Sequence, residues 1–256
     1  MKRLPRWADA TLEALGWMDD RLESIRETVA RYQRFHGLDV TGDIDDATGE
    51  HIRQPRFCAL PDVMPVGATL AKWPKNRLRY IITGWLPGVP RDDQRAAYAA
   101  AWGLWSAVAD VAAEETSDPN AADVVMGMRS IDGPMGVLAE SELANGRDSQ
   151  KRQWYDTGEH WAIGETVPRG RLDLVRVACH EIGHVLGMGH IGAGNLLAPT
   201  YSESIRKPQA GDIREMVARY GAPKAVPRPK PDDPPTALRR LFVLEVFEDG
   251  TTRKVG

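Results

Sequence analysis

Apolar residues recur at helical spacing in SIRETVARYQRFHG, where Ile25, Val29, Tyr32 and Phe35 share one face. That pattern predicts an amphipathic helix ended by Gly37. LDVTGDIDDATGEHI then turns through Gly42 and starts a short helix near Asp45. Residues 1–53 thus read as a small helical unit. Prolines at 55, 61, 65 and 74 make residues 54–75 an extended connector. RLRYIIT (77–83) alternates and is rich in β-formers, which predicts a strand. Residues 91–113 read as one long Ala-rich helix, with Trp102, Trp105 and Val108 on neighbouring faces as core. ADVVMGM (122–128) reads as a buried strand, and VLAE (137–140) as a short strand after the turn DGPMG. LDLVRVACHEIGHVLG (172–187) predicts a strong helix closed by Gly187. GDIREMVARYG (211–221) predicts a last helix with Asp212 as N-cap and Gly221 as its stop. Six prolines make residues 222–236 a stiff linker. Residues 237–256 read as a β-hairpin tail turning at Asp249-Gly250.

Composition narrows the classes. With 256 residues and 42% apolar content the chain can bury one large core or two modest ones. A charged fraction of 27% and a net charge of -3 point away from nucleic acid and from membrane surfaces as partners. No apolar run approaches the roughly 18 residues of a membrane span. The segment MKRLPRWADATLEALGW starts basic but has no apolar stretch before Asp9, unlike an ordinary secretory signal. Two cysteines, Cys58 and Cys179, allow at most one disulfide and no disulfide scaffold.

The candidate chemistry is concentrated in HEIGHVLGMGH (180–190), which holds three of the six histidines. His180 and His184, four apart on a helix, face the same way one turn apart. Gly187 permits a sharp exit, after which His190 can swing back. Three imidazoles suit zinc and leave a fourth position open, the arrangement of a catalytic site. Glu181 sits about 100° round the helix from His180. It is placed to act as general base on a water rather than as a ligand. The alternative is a helix whose histidines merely pack.

HEIGHVLGMGH also carries the full H-E-x-x-H-x-x-G-x-x-H pattern of the metzincins. With RYQRFHGLDVTGDIDDAT, QPRFCALPDV, IDGPMGVLAE and NLLAPTY in order, the chain resembles the matrixins over roughly residues 20–221. The resemblance implies an α+β metzincin-type zinc peptidase domain at residues 76–221, a twisted mixed sheet with long helices. It implies a peptidoglycan-binding-like prodomain at residues 1–53, lost by cleavage at about residues 63–73. It implies that Cys58 holds zinc in a latent form, although Phe57 stands between Arg56 and Cys58 and Ala59 replaces a glycine. A buried free thiol, or a disulfide to Cys179, is the alternative. Leu197 takes the place of the methionine of the family's Met-turn, and Ile191 that of a small hydroxyl residue.

Further implications concern the loop and edge strand. Asp132, Asp156 and Glu159, with the carbonyls of Gly133, Met135 and Val137, match calcium ligands, oxygen donors suited to that ion. The alternative is a solvated acidic loop. Glu140 and Trp154 stand where the family has structural-zinc histidines, and His160 is the one histidine near them, so no structural zinc is expected. Substrate would pair as an extended strand with Val137, Leu138 and Ala139. Pro199 and Tyr201 would wall a specificity pocket. The expected partner is a protein or peptide substrate met outside the cell or in the cell envelope, by a monomer. Two other readings stay open: a peptidoglycan-binding module that targets the zinc domain to cell walls, and a non-catalytic zinc-bound adhesion module.

Overall fold

The computed structural model of the protein describes residues 6–18, 24–63, 70–164, 166–224, 243–246 and 252–255. Three helices open the chain: α1 (Arg6–Ala14), α2 (Ile25–His36) and α3 (Asp46–Ile52). Ser24 caps α2 by accepting from Glu27 N–H, and Gly37 closes it in the left-handed region at φ 68°. Asp45 caps α3 through Thr48. The three helices enclose a small core of Leu12, Leu15, Trp17, Val29, Tyr32 and Ile52, separate from the main one.

The main body is a six-stranded sheet in the order β1-β5-β6-β4-β2-β3. Its strands are β1 (Arg56–Cys58), β2 (Arg77–Ile82), β3 (Ala112–Glu115), β4 (Val124–Arg129), β5 (Val137–Ser141) and β6 (Lys151–Asp156). Within it β5 is antiparallel to β6, and the other neighbouring pairs are parallel. Two long helices complete the body, α4 (Arg91–Ser106) and α5 (Leu174–Val185), followed by α6 (Ala210–Tyr220). Trp102, Trp105, Val177, Ala178 and Ile182 are buried in the core they share with the sheet. Minor strands β7 (Trp161–Ala162) and β8 (Leu172–Asp173) form a parallel pair.

Three expectations need correction. The helix from Arg91 ends at Ser106, not at 113, and residues 112–115 become β3. Pairing with β2 decides this, because Arg77–Tyr80 offer a ladder to Ala112–Glu115 and tertiary pairing along an open edge overrides even alanine's strong intrinsic helix preference. Asp212 is not the N-cap of α6: Gln209 is, and Asp212 at the third helical position completes a reciprocal capping box. Residues 54–75 are more than an extended connector, since Arg56–Cys58 join the sheet as a strand.

Residues 224–256 form a separate compact unit. Strands β9 (Val243–Val246) and β10 (Thr252–Val255) pair antiparallel there, as a hairpin tail requires. The Asp249-Gly250 turn and most of the proline-rich linker lie outside the described residues.

Candidate metal centre and cleft

Helix α5 begins at Asp173, whose side chain accepts from Val175 N–H. It is buried along its whole length, so His180 and His184 point into protein rather than solvent. Gly187 then leaves the helix at φ 91°, and a Cβ there would lie 1.9 Å from Ala71 O, so no larger residue fits the bend. The chain returns to bring His190 opposite the helix. His184 Nε2 and His180 Nε2 lie 2.9 Å apart, and Cys58 Sγ sits 3.3 Å from both His184 Nε2 and His190 Nε2. The four ligating atoms all lie within 4.8 Å of one another. Among the described residues this is the one group of three or more such side chains arranged for a metal.

The Nδ1 atoms fix the orientation of all three rings. Nδ1 of His180 donates to Leu196 O, that of His184 to Met188 O and that of His190 to Pro61 O, each at 2.8 Å. Each Nε2 lone pair is therefore left facing the shared centre. Burial holds the rings neutral: His184 is lowered to about 4, and His180 and His190 fall well below the ordinary value, helped by repulsion among the histidines. Neutral imidazole is the ligating form. Burial, and then Glu181, push the Cys58 thiol well up, so a cation is needed to hold it as thiolate. Zinc–nitrogen and zinc–sulfur arms would set ligand atoms roughly 3.3–3.7 Å apart around a tetrahedron; the two Cys58 contacts lie at 3.3 Å, the His180–His184 pair at 2.9 Å and every pair inside 4.8 Å. The donor set fits zinc.

Glu181 is fully buried beside this centre. Its Oε2 accepts from Ser141 Oγ at 2.6 Å, and Ser141 Oγ in turn accepts from Gln153 Nε2 at 3.0 Å. Its Oε1 has no partner, and an orphaned buried carboxylate oxygen is costly unless something polar meets it. Burial raises Glu181 to about 8, against the Ser141 bond that lowers it. Sequence reasoning missed Ser141 and Gln153, since neither belongs to a spacing pattern and both reach Glu181 only through the β5–β6 register, which pairs Ser141 with Gln153.

Below the histidines lies Leu197, fully buried. A Cβ on Gly183 would come within 2.9 Å of Leu197 Cδ2, so this side chain packs directly against α5. Asp212 holds the floor by accepting the N–H groups of Leu196 and Leu197 at 2.8 and 3.0 Å.

Cys58 reaches the centre on β1, which lies along β5 with Arg56 opposite Val137 and Cys58 opposite Ala139. Across β1, Phe57 N–H donates to Pro199 O at 3.0 Å and Tyr201 N–H donates to Pro55 O at 3.2 Å. The segment thus lies between the two stretches expected to grip substrate, 137–139 and 199–201. Leu138 and Ala139 are buried, while Val137 is partly exposed at the edge. Behind β1, Arg56 pairs with buried Asp62. Asp62 also accepts from Trp17 Nε1 at 2.8 Å and faces His36 Nε2 at 3.0 Å. Phe35 O accepts from Ala193 N–H at 2.8 Å, tying α2 to the loop after His190. Cys58 and Cys179 are both free and buried, so they form no disulfide.

The remaining expected residues lie apart from this centre. Asp156 accepts from the N–H groups of Ile131, Asp132, Gly133 and Gly158, Glu159 from Met135, and Asp132 from Val137. The loop's carboxylates are thus hydrogen-bonded to its own amides, with Asp156 and Glu159 buried and Asp132 exposed. Glu140 pairs with Arg129, whose guanidinium lies 4.5 Å from the Trp154 ring centroid. His160 is exposed.

Comparison with known proteins agrees with this geometry. The family model Peptidase_M10, described as matrixin, matches residues 72–221. Similar proteins include Matrix metalloproteinase-C of Caenorhabditis elegans, 29% identical over 77% of this chain and 37% of its own length. Macrophage metalloelastase of Oryctolagus cuniculus is 32% identical over 83% of this chain and 48% of its own. Interstitial collagenase of Bos taurus is 34% identical over 77% and 43%. The chain spans less than half the length of these relatives.

Proposed function

The chain belongs to the matrixin family, and on that footing we propose that residues 76–221 are a zinc-dependent metalloendopeptidase kept latent by residues 54–62. The observation that carries the reading is Cys58 Sγ seated among three inward-facing imidazoles, on a strand that fills the cleft. Zinc held by His180, His184 and His190 would supply Lewis acidity and bring the pKa of a water far down, to about 7. The chain's own groups do the rest. Val137, Leu138 and Ala139 hold an extended peptide through backbone bonds once β1 leaves, and Pro199 and Tyr201 wall the far side. Glu181, fixed at Oε2 by Ser141, turns Oε1 to the attacking water, accepts its proton and delivers it to the leaving amine. Leu197 replaces methionine as the apolar floor, a swap that usually costs under about 1.5 kcal/mol. While Cys58 fills the fourth position no water can take it, which keeps the intact chain at a low basal rate.

Residues 1–53 act as the clamp, since Trp17 and His36 hold the same Asp62 that pairs with Arg56. A calcium ion on Asp132, Asp156 and Glu159 belongs to the same proposal: an ionised carboxylate has about four acceptor sites, so the amide bonds leave oxygen lone pairs for a cation. The relatives' names refer to matrix and interstitium, and we extend that extracellular setting to this chain. No described helix is long and apolar enough to cross a membrane.

The test is metal analysis of the full chain with cleavage of a mixed peptide library. Wild type should hold one zinc and cleave slowly until its thiol is modified. Cys58→Ser should cleave without treatment, and Glu181→Ala should keep its zinc and stay inert. Equal cleavage by wild type and Glu181→Ala would remove Glu181 as base. Full activity in untreated wild type would end the latency reading, and co-sedimentation with peptidoglycan would favour a targeting role for residues 1–53.

A further inference from the structure

The carbonyls that aim the three histidines differ in origin. His180 and His184 donate to Leu196 O and Met188 O, which belong to the same domain as the helix that carries them. His190 donates instead to Pro61 O, on the segment that follows the Cys58 strand. His180 and His184 are fully buried, whereas His190 is only partly so. The Cys58 strand also touches His180, through the Phe57 ring stacked on it at 4.2 Å, but His180 keeps an acceptor of its own domain.

Pro61 is in turn placed by the N-terminal helices. Its neighbour Asp62 donates its N–H to Leu15 O at 3.0 Å, and the Asp62 carboxylate meets Trp17, His36 and Arg56. Gly16 approaches the same segment so closely that a Cβ there would lie 2.5 Å from Val63 O. Beyond His190, a Cβ on Gly192 would lie 2.8 Å from Phe35 O, the acceptor of Ala193 N–H. The N-terminal unit therefore holds both the ring of the third histidine and the loop just after it.

Resting on the reading of the three histidines as a zinc site, we infer that the N-terminal helices and the segment up to Asp62 have a second task besides blocking the cleft. They brace the metal site, with Pro61 O as the positioning group of His190. A fixed acceptor on one ring nitrogen sets the tautomer, aims the other nitrogen and raises its basicity, and losing such a partner lowers metal affinity by about 10–100-fold. When the segment leaves, solvent takes that N–H in place of a fixed carbonyl, and His190 becomes the loosest ligand. The intact chain thus keeps zinc better than the processed one, by more than the loss of the Cys58 thiolate explains. Release of the N-terminal unit starts the enzyme and also starts its loss of metal.

The test uses the full chain in a Cys58→Ala background, so that the thiolate plays no part. Zinc release to a colorimetric chelator is compared with and without Asp62→Ala. A milder variant, Trp17→Phe, keeps an aromatic ring but loses the N–H to Asp62. Asp62→Ala should speed release roughly 10-fold, and Trp17→Phe by less. Nitrogen-15 NMR of the histidines in the zinc-loaded chains locates the effect. In Asp62→Ala the His190 Nδ1–H should exchange faster with water while those of His180 and His184 stay protected. Equal release rates overturn the inference. Faster release with all three Nδ1–H signals affected alike overturns it too, since that would mean a general loosening. A Cys58→Ala chain that holds no zinc at all would instead end the reading of the site itself, and the inference with it.

Discussion

One oxygen of Glu181 is held by Ser141 and the other is left open, and that asymmetry is set by a single hydroxyl. Replacing Ser141 with Ala removes a bond to a charged group, worth about 1.5–3 kcal/mol. If that bond aims Oε1, kcat of the activated protein should fall roughly 10-fold with little change in KM. Steady-state kinetics checks it, and an unchanged kcat would show the hydroxyl to be idle. A second single-residue constraint is Gly187. At φ 91° and with Ala71 O in the way of any Cβ, Gly187→Ala should lose about 2–4 kcal/mol, read as a lowered midpoint in urea.

Among the elements, α2 carries a pH dependence. Burial and the neighbouring Arg56 guanidinium bring His36 down to about 3. The folded chain therefore keeps His36 neutral where the unfolded chain, with a pKa near 6.5, takes up a proton. The stability this represents is present in full above about pH 6.5 and drains away as the pH falls from there towards 3. At pH 5 the loss approaches about 2 kcal/mol. His51, lowered to about 4 chiefly by burial, adds in the same direction. Thermal unfolding from pH 7 to 4.5 should show the decline, and His36→Gln should flatten it; parallel curves for the two proteins would remove His36 as the cause. The elements also show what pattern reading cannot reach. Helix α2 and helix α5 were legible because their apolar periodicity, caps and glycine stops are local. Strand β3 was not, because its four residues become a strand only beside β2.

For the whole molecule, the metal would be the knot that joins the sheet edge, helix α5 and the loop after it. A ligand at about 1,000 times its Kd stabilises the native state by about 4 kcal/mol. Stripping zinc with a chelator should therefore lower Tm by several degrees and make residues 54–62 newly sensitive to a test protease. Restoring zinc should reverse both. A Tm indifferent to chelator would mean that no ion bridges these parts. Local chemistry alone determined a great deal: three histidines and a glutamate on one helical turn and its exit, a glycine at the bend, and the residue types for a divalent site. These follow from the 3.6-residue period and from what glycine permits, which neighbours in space do not alter. Only the tertiary structure decided that Cys58 arrives as a sheet strand, that Phe57 lies against His180, and that Ser141, Gln153 and Asp212 hold the centre from outside it. Those contacts join residues 12 to 132 positions apart. No period in the chain encodes them, because strand register and core packing alone bring such groups together.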